Sequence, residues 1–256
     1  MKKLWLLILV TLCLMLTACA GETSQIAKIR QSGTLRVGVK MDVPHFGYLN
    51  PETDVYEGLE IDLAKQIAKA IIGDENAVNF VGVTAQTRGP KLNNGEIDIV
   101  VATFTITEER KTSYSFSNPY YTDEIGFLVR KNVNIEAISD INGKIIGITQ
   151  QSTARDILEV DLPNLGITAE YREFASYPEV IAAIKSGAID AFVTDKSILY
   201  GYVDDETVLL NEGLSQQEYG IAATLANKAL IDFVNEQLAK MQNDGTLDVI
   251  IAKWAS

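Results

Sequence analysis

Polar residues with usable chemistry stand at or shortly beyond the ends of the apolar, β-branched stretches of this 256-residue chain. Lys40 follows "LRVGV"; Thr103, Thr105 and Arg110 follow "IDIVVA"; Ser152 and Thr153 follow "IIGIT"; Asp195 closes "AFVT". Arg110 carries a planar guanidinium fork that suits a carboxylate, and Asp195 offers an acceptor for an ammonium. A carboxylate and an ammonium are what every α-amino acid has in common. Taken singly, these residues read as a solvated lysine, a rim arginine and an aspartate closing a strand; only convergence on one cleft makes them a site. Arg110 adds a local oddity. In "TITEER", Thr107 reads as an N-cap and Glu108 and Glu109 suit the positive end of a helix dipole, where a cation costs roughly 0.3–1 kcal/mol. A ligand carboxylate shared with Arg110 would offset that misfit.

The elements that must position these residues recur in a fixed order. "SQIAKIRQSG" reads as a helix ending at Gly33, "TLRVGVK" as a strand, and "LEIDLAKQIAKAIIG" as a helix with Leu63, Ile67, Ala70 and Ile71 at helical spacing. "AVNFVGV" is a second strand, "TAQTRGPKLNNG" a short helix and "IDIVVATF" a third strand, while the stretch with Pro44, Gly47, Asn50 and Pro51 reads as loop. "GTLRVGVKMD" resembles "GKIIGITQQS", "LNNGEIDIVVAT" resembles "IKSGAIDAFVTD", and "YREFASY" supplies the second set's middle strand. Two repeats in matching order predict two α/β lobes, each a mostly parallel sheet flanked by helices. The expected boundaries are 26–122 plus 222–256 for the first lobe and 127–217 for the second, with hinge strands near 121–130 and 218–225. A chain that crosses twice leaves a cleft, and ligands of open parallel sheets bind outside the carboxyl ends of the strands.

Lys2 and Lys3, the apolar run Leu4 to Leu16 and the small Thr17 and Ala18 predict a signal peptide over 1–18. The run is shorter than the ~20 residues of a comfortable membrane span. "LTAC", Leu16 to Cys19, resembles a bacterial lipobox; it would put lipid on Cys19, with 19–25 as lipidated terminus and linker, and tether the protein rather than span it. Processing would leave Cys19 as the single cysteine, so the core alone must hold the fold. It would also remove two lysines and no acid, taking the formal net charge from -12 to -14. An acidic exported chain is a poor partner for nucleic acid, and an anionic ligand needs a locally cationic pocket. No metal-ligand cluster, phosphate loop or cofactor motif is legible.

"ATFTITEERK", "FSNPYY", the "GLEIDLAKQIA" helix and "VTDKSILYGY" resemble the polar amino-acid receptors of ABC importers, over the whole mature chain. "VGVKMDVPHFGY" and "QTRGPKLNNG" resemble the aspartate/glutamate-binding branch in particular. The resemblance implies a two-lobed periplasmic-binding-protein clamshell, a monomer, that hands its ligand to a membrane permease and its ATPase. It implies that Arg110, helped by Thr103, holds the α-carboxylate and that Asp195 takes the α-ammonium. It further implies side-chain carboxylate contacts from Lys40 and Arg88, with Tyr177 beside them. Ala85 stands where some relatives carry an aromatic, which speaks against an aromatic-sandwich receptor for basic amino acids. Gln151 stands where relatives often have glycine, with its role open.

Charge counting points to the same branch. Lys40, Arg88 and Arg110 against Asp195 leave a formal excess of two cations, which a zwitterion would strand and a dicarboxylic amino acid would pair, so glutamate or aspartate is the expected ligand. Two other readings stand beside this one. A dehydratase-type enzyme on the same fold lacks a cleft base, since the single histidine, His45, reads as a packed loop residue beside Pro44 and Phe46. A surface adhesin or sensor module on the same clamshell stays open.

Overall fold

A computed structural model describes residues 24–254; the predicted signal peptide and the lipobox Cys19 lie outside them. The first lobe opens with helix α1 (Gln25–Ser32), N-capped by the Ser24 hydroxyl, and strand β1 (Leu35–Val39). The stretch read as loop instead forms a small antiparallel sheet of β2 (Asp42–Val43), β3 (Gly47–Asn50) and β4 (Val55–Glu57). Strands this short display no period-2 pattern, so their pairing is visible only in three dimensions. Helix α2 (Leu59–Ile72), strand β5 (Val78–Gly82), helix α3 (Arg88–Asn93), strand β6 (Ile99–Val101), the one-turn helix α4 (Glu108–Lys111) and strand β7 (Tyr114–Phe116) follow. β1 lies between β5 and β6, parallel to both. Ile99 and Val101 of β6 face the core built with α1 and α2, while Val100 and Ala102 face a second cluster with Leu92 and Ile97. Burial on both faces explains the unbroken apolar run at this strand.

The chain leaves on β8 (Tyr121–Arg130) and builds the second lobe from β9 (Lys144–Thr149), α5 (Ala154–Asn164), β10 (Ala169–Phe174), α6 (Tyr177–Ser186), β11 (Ala191–Asp195), α7 (Lys196–Tyr200) and β12 (Thr207–Leu209). It returns on β13 (Leu214–Tyr219) and finishes with β14 (Ala222–Thr224), α8 (Lys228–Asn243) and α9 (Thr246–Trp254). The sheet orders are β5-β1-β6-β14-β7 and β10-β9-β11-β8-β12. The two-lobed α/β architecture with flanking helices is thus present, and both sheets are mixed. β14 runs antiparallel to β6 and β7, and β8 runs antiparallel to β11 and β12.

β13 pairs with the first half of β8, from Tyr219 opposite Tyr121 to Leu214 opposite Ile125. The return crossing therefore runs through 214–219, earlier than the 218–225 read from the sequence, because β14 is already a strand of the first sheet. Ser215–Glu218 is polar and carries no apolar alternation; its partner β8 is what makes it a strand.

The internal repeat extends to single hydrogen bonds. Arg36 donates its backbone N–H to Asp98 at 2.9 Å and accepts from the Asp98 N–H at 2.8 Å; Ile145 and Asp190 make the same pair at 2.9 and 2.8 Å. A Cβ on Gly38 would stand 2.5 Å from Ile97 Cδ1, and one on Gly147 2.3 Å from Ile189 Cδ1. The recurrent Gly-x-Ile-Asp pattern thus joins each third strand to its first through a close backbone approach.

Candidate functional site

Each of the six strands that carry the repeat delivers a sequence-predicted residue beyond or at its carboxyl end. Lys40 follows β1, Arg88 opens α3 after β5, and Thr103 and Thr105 follow β6; Ser152 and Thr153 follow β9, Tyr177 opens α6 after β10, and Asp195 ends β11. Members of both sets border a cavity of about 1040 Å³ between the lobes. Arg88, Thr105, Arg110, Ser152 and Thr153 line it, with Ala85 and Gln151. Lys40, Thr103, Tyr177 and Asp195 are buried and do not line it; Tyr177 and Asp195 lie close enough to Arg88 to act on its charge.

Because α4 is a single turn, Arg110 stands in its last turn as well as its first. The dipole misfit expected at this residue therefore does not arise; the negative carbonyl end is one residue away. The Thr107 hydroxyl accepts the Arg110 N–H at 3.1 Å, as an N-cap should. The Arg110 guanidinium donates to the Thr105 carbonyl at 2.8 Å and, across the cleft, to the Gln151 carbonyl at 3.1 Å. Burial pushes this guanidinium down from its usual pKa, and the Asp195 carboxylate opposes that shift.

Asp195 ties the site to the hinge. Its Oδ2 accepts from the Tyr219 hydroxyl on β13 at 2.6 Å, and the same hydroxyl lies 3.1 Å from Asp123 Oδ2 on β8. Burial and then Asp123 push the Asp195 carboxyl up to about 7, against the Tyr219 hydrogen bond, Arg110 and Arg88.

Two acids absent from the sequence reading change the electrostatics. Lys40, only 2% exposed, has its Nζ 3.2 Å from Asp42 Oδ1 and 4.4 Å from the centre of the Tyr177 ring. Burial pushes the Lys40 pKa down, Asp42 raises it, and Arg88 adds to the lowering. Glu60, on the first turn of α2, is fully buried; its Oε1 accepts from the Thr103 N–H and from the Tyr120 hydroxyl, both at 2.5 Å. Burial pushes Glu60 up from its usual range, while Tyr120, Thr103, Lys40 and Arg88 pull it back. Arg88 donates to the carbonyls of Ala102 at 2.8 Å and Thr103 at 3.2 Å and lies 3.9 Å over the Phe104 ring. Burial pushes it down to about 9, with Arg110 adding to the effect. Phe104 thus carries two guanidinium groups, since Arg110 lies 4.9 Å from the same ring. Glu60 was hidden among the acids of an amphipathic helix, and Asp42 sat in a stretch read as loop; neither had a distinguishing sequence signal.

In the second lobe the Ser152 hydroxyl donates to the Thr149 carbonyl and the Thr153 hydroxyl to Gln217 Oε1, both at 2.8 Å. Tyr177 is buried, and burial pushes its phenol pKa up, so it stands neutral beside Lys40. His45 is exposed at a φ of 70° and is not among the residues lining the cleft, which corrects its reading as a packed residue. Thr103 holds a φ of 42°, a strained conformation for a β-branched residue. Among the described residues, the buried side-chain polar atoms without a hydrogen-bond partner are Asp42 Oδ1, Glu60 Oε2, Arg88 Nε and Thr149 Oγ1. All four belong to the carboxyl-end edge of the sheets or its supports.

Gln151 has a φ of 60°, a left-handed conformation that glycine adopts without strain. Only its carbonyl meets Arg110, so Gln151→Gly should keep ligand affinity. It should leave stability unchanged or raise it by up to about 1 kcal/mol, whereas Gln151→Val should lower it by about 1–2 kcal/mol. Urea unfolding of the two variants checks this, and equal stabilities would contradict it.

Comparison with known proteins settles the family. The model of the bacterial extracellular solute-binding proteins, family 3, matches residues 35–256. The chain belongs to that family. It is 38% identical to the ABC transporter glutamine-binding protein GlnH of Bacillus subtilis, over 99% of this chain and 97% of that protein. It is 39% identical to a glutamine-binding protein of Geobacillus stearothermophilus, over 83% and 80% of the two chains. Among solved structures, a cysteine-binding protein from Campylobacter jejuni superposes with a TM-score of 0.82 at 29% identity, over 90% and 92% of the two chains. Family membership fixes the clamshell; the relatives it brings do not single out an acidic ligand.

Proposed function

We propose that this family 3 solute-binding protein captures a polar α-amino acid with a neutral side chain, glutamine first, and presents it to the permease and ATPase of an ABC importer. Arg110 of the first lobe holds the α-carboxylate and Asp195 of the second the α-ammonium, so the ligand bridges the lobes and draws the open–closed population toward closure. Thr103, Thr105, Ser152 and Thr153 complete the rim. Lipidation at Cys19 would keep the receptor at the membrane beside its permease.

The observation that carries the choice of side chain is the charge balance. Asp42 pairs with Lys40 at 3.2 Å, and the buried Asp195 and Glu60 act on the charge of Arg88, so the excess of two cations counted from the sequence is offset. A neutral cleft suits a zwitterion without stranding buried charge. The glutamine-binding relatives support the same choice. Glutamate or aspartate is the second reading. It is favoured by the donors that Arg88 Nε and the Lys40 ammonium still have to offer a side-chain carboxylate.

Calorimetry of the ligand-stripped protein against glutamine, glutamate, aspartate and asparagine decides between them. Glutamine should bind tightest; tighter binding of glutamate would return the assignment to the acidic branch, and no heat with any of the four would remove it from this ligand class.

A further inference from the structure

We propose that Asp42 and Glu60 select the ligand's side chain: by neutralising Lys40 and Arg88 from within the first lobe they admit a carboxamide and turn away a carboxylate. The inference rests on the glutamine reading above and assigns the discrimination to two residues that need not touch the α-amino acid core.

Asp42 stands 3.2 Å from the Lys40 ammonium, and its backbone carbonyl accepts from the Tyr202 hydroxyl of the second lobe. Both lobes therefore hold it in place. Its buried Oδ1 faces the Lys40 ammonium at 3.2 Å, and a carboxylate oxygen there can also accept an amide N–H while it repels a second carboxylate. Glu60 acts through the strained peptide at Thr103. It accepts the Thr103 N–H at 2.5 Å, while Arg88 donates at 2.8 Å to the Ala102 carbonyl, so the two side chains grip opposite ends of a single peptide unit. The negative charge behind that peptide faces the positive charge beside it. A carboxylate brought to Lys40 and Arg88 would meet two cations already compensated by two acids; like-charge juxtaposition is how a polar pocket rejects the wrong isostere. A carboxamide offers an acceptor to the cations and donors to the anions in the same group.

The test uses Asp42→Asn and Glu60→Gln, each removing one charge at nearly constant shape. Calorimetry on the ligand-stripped proteins at pH 7.5 gives the affinities for glutamate and glutamine. The glutamate-to-glutamine affinity ratio should rise roughly tenfold or more in Asp42→Asn and further in the double variant. A merely structural loss would weaken both ligands and leave that ratio alone. Asp42 is partly exposed, so its variant keeps the question answerable even where Glu60→Gln unfolds. An unchanged ratio, in a wild type that prefers glutamine, overturns this inference by itself; a wild type that prefers glutamate overturns the ligand reading and this inference with it.

Discussion

Arg110→Ala should cost about 3–5 kcal/mol of ligand affinity, roughly two to four orders of magnitude in Kd, while the protein stays folded. The side chain contributes little to the fold: its hydrogen bonds reach two backbone carbonyls at the cleft, one in each lobe. What its loss removes is a fork that reaches across the cleft to the Gln151 carbonyl, whereas Arg88 holds the Ala102 and Thr103 carbonyls of its own lobe with one guanidinium nitrogen. The truncation leaves the ligand's α-carboxylate desolvated and unpaired, and that penalty exceeds the value of the contact itself. Arg110→Lys should recover part of the loss, because an ammonium restores charge without the fork. Titration calorimetry gives the affinity and a thermal melt checks the fold. Near-native affinity for every amino acid in Arg110→Ala would sink the assignment of the carboxylate site.

Ligand binding should become about tenfold weaker per pH unit below about 7 and release close to one proton there. The cause is Asp195. Burial and Asp123 push its carboxyl up to about 7, so the free protein carries a proton there in mild acid. The ligand ammonium requires the ionised form and must expel that proton. Above the shifted value the carboxylate is already ionised, and the dependence should flatten. The sign for unliganded stability is the opposite of the salt-bridged aspartate case. The native pKa lies above the unfolded value of roughly 4, so the native state binds more protons between the two, and this group's contribution to stability rises as pH falls through that window. The single histidine cannot mimic the effect, since His45 is exposed outside the cleft lining. Calorimetry at pH 6 and 8, in buffers of different ionisation enthalpy, measures the released proton. Asp195→Asn should bind weakly at every pH, with no release; a wild type whose affinity is flat from pH 5.5 to 8 would falsify this role for Asp195.

The strand ends were legible because they follow from local physics. Runs such as "IDIVVA" suit a central strand buried on both faces, and parallel neighbours leave their following residues at one edge of the sheet. That places Lys40, Thr103, Ser152 and Asp195 together without any knowledge of contacts. Arg110 was found for a reason that did not hold, since a four-residue helix has no first turn distinct from its last. Its position beyond β6 was the sound part of the reading. The small β2–β3–β4 sheet and the hinge strand β13 were missed because their partners, not their own patterns, make them strands.

By itself the sequence determined two α/β lobes, the repeat that builds them, and the strand ends at which the candidate residues stand. Periodicity and connection rules act over short stretches, and those the sequence carries directly. Only the tertiary structure decided the charge of the cleft. Lys40, Arg88 and Arg110 could be counted from the chain, but packing brings Asp42 to Lys40 across a tight turn and Glu60 within reach of the charge of Arg88, from a helix 43 residues before the peptide it holds. Electrostatics inside a protein depends on which charges share a desolvated volume, and that volume exists only once the chain has folded.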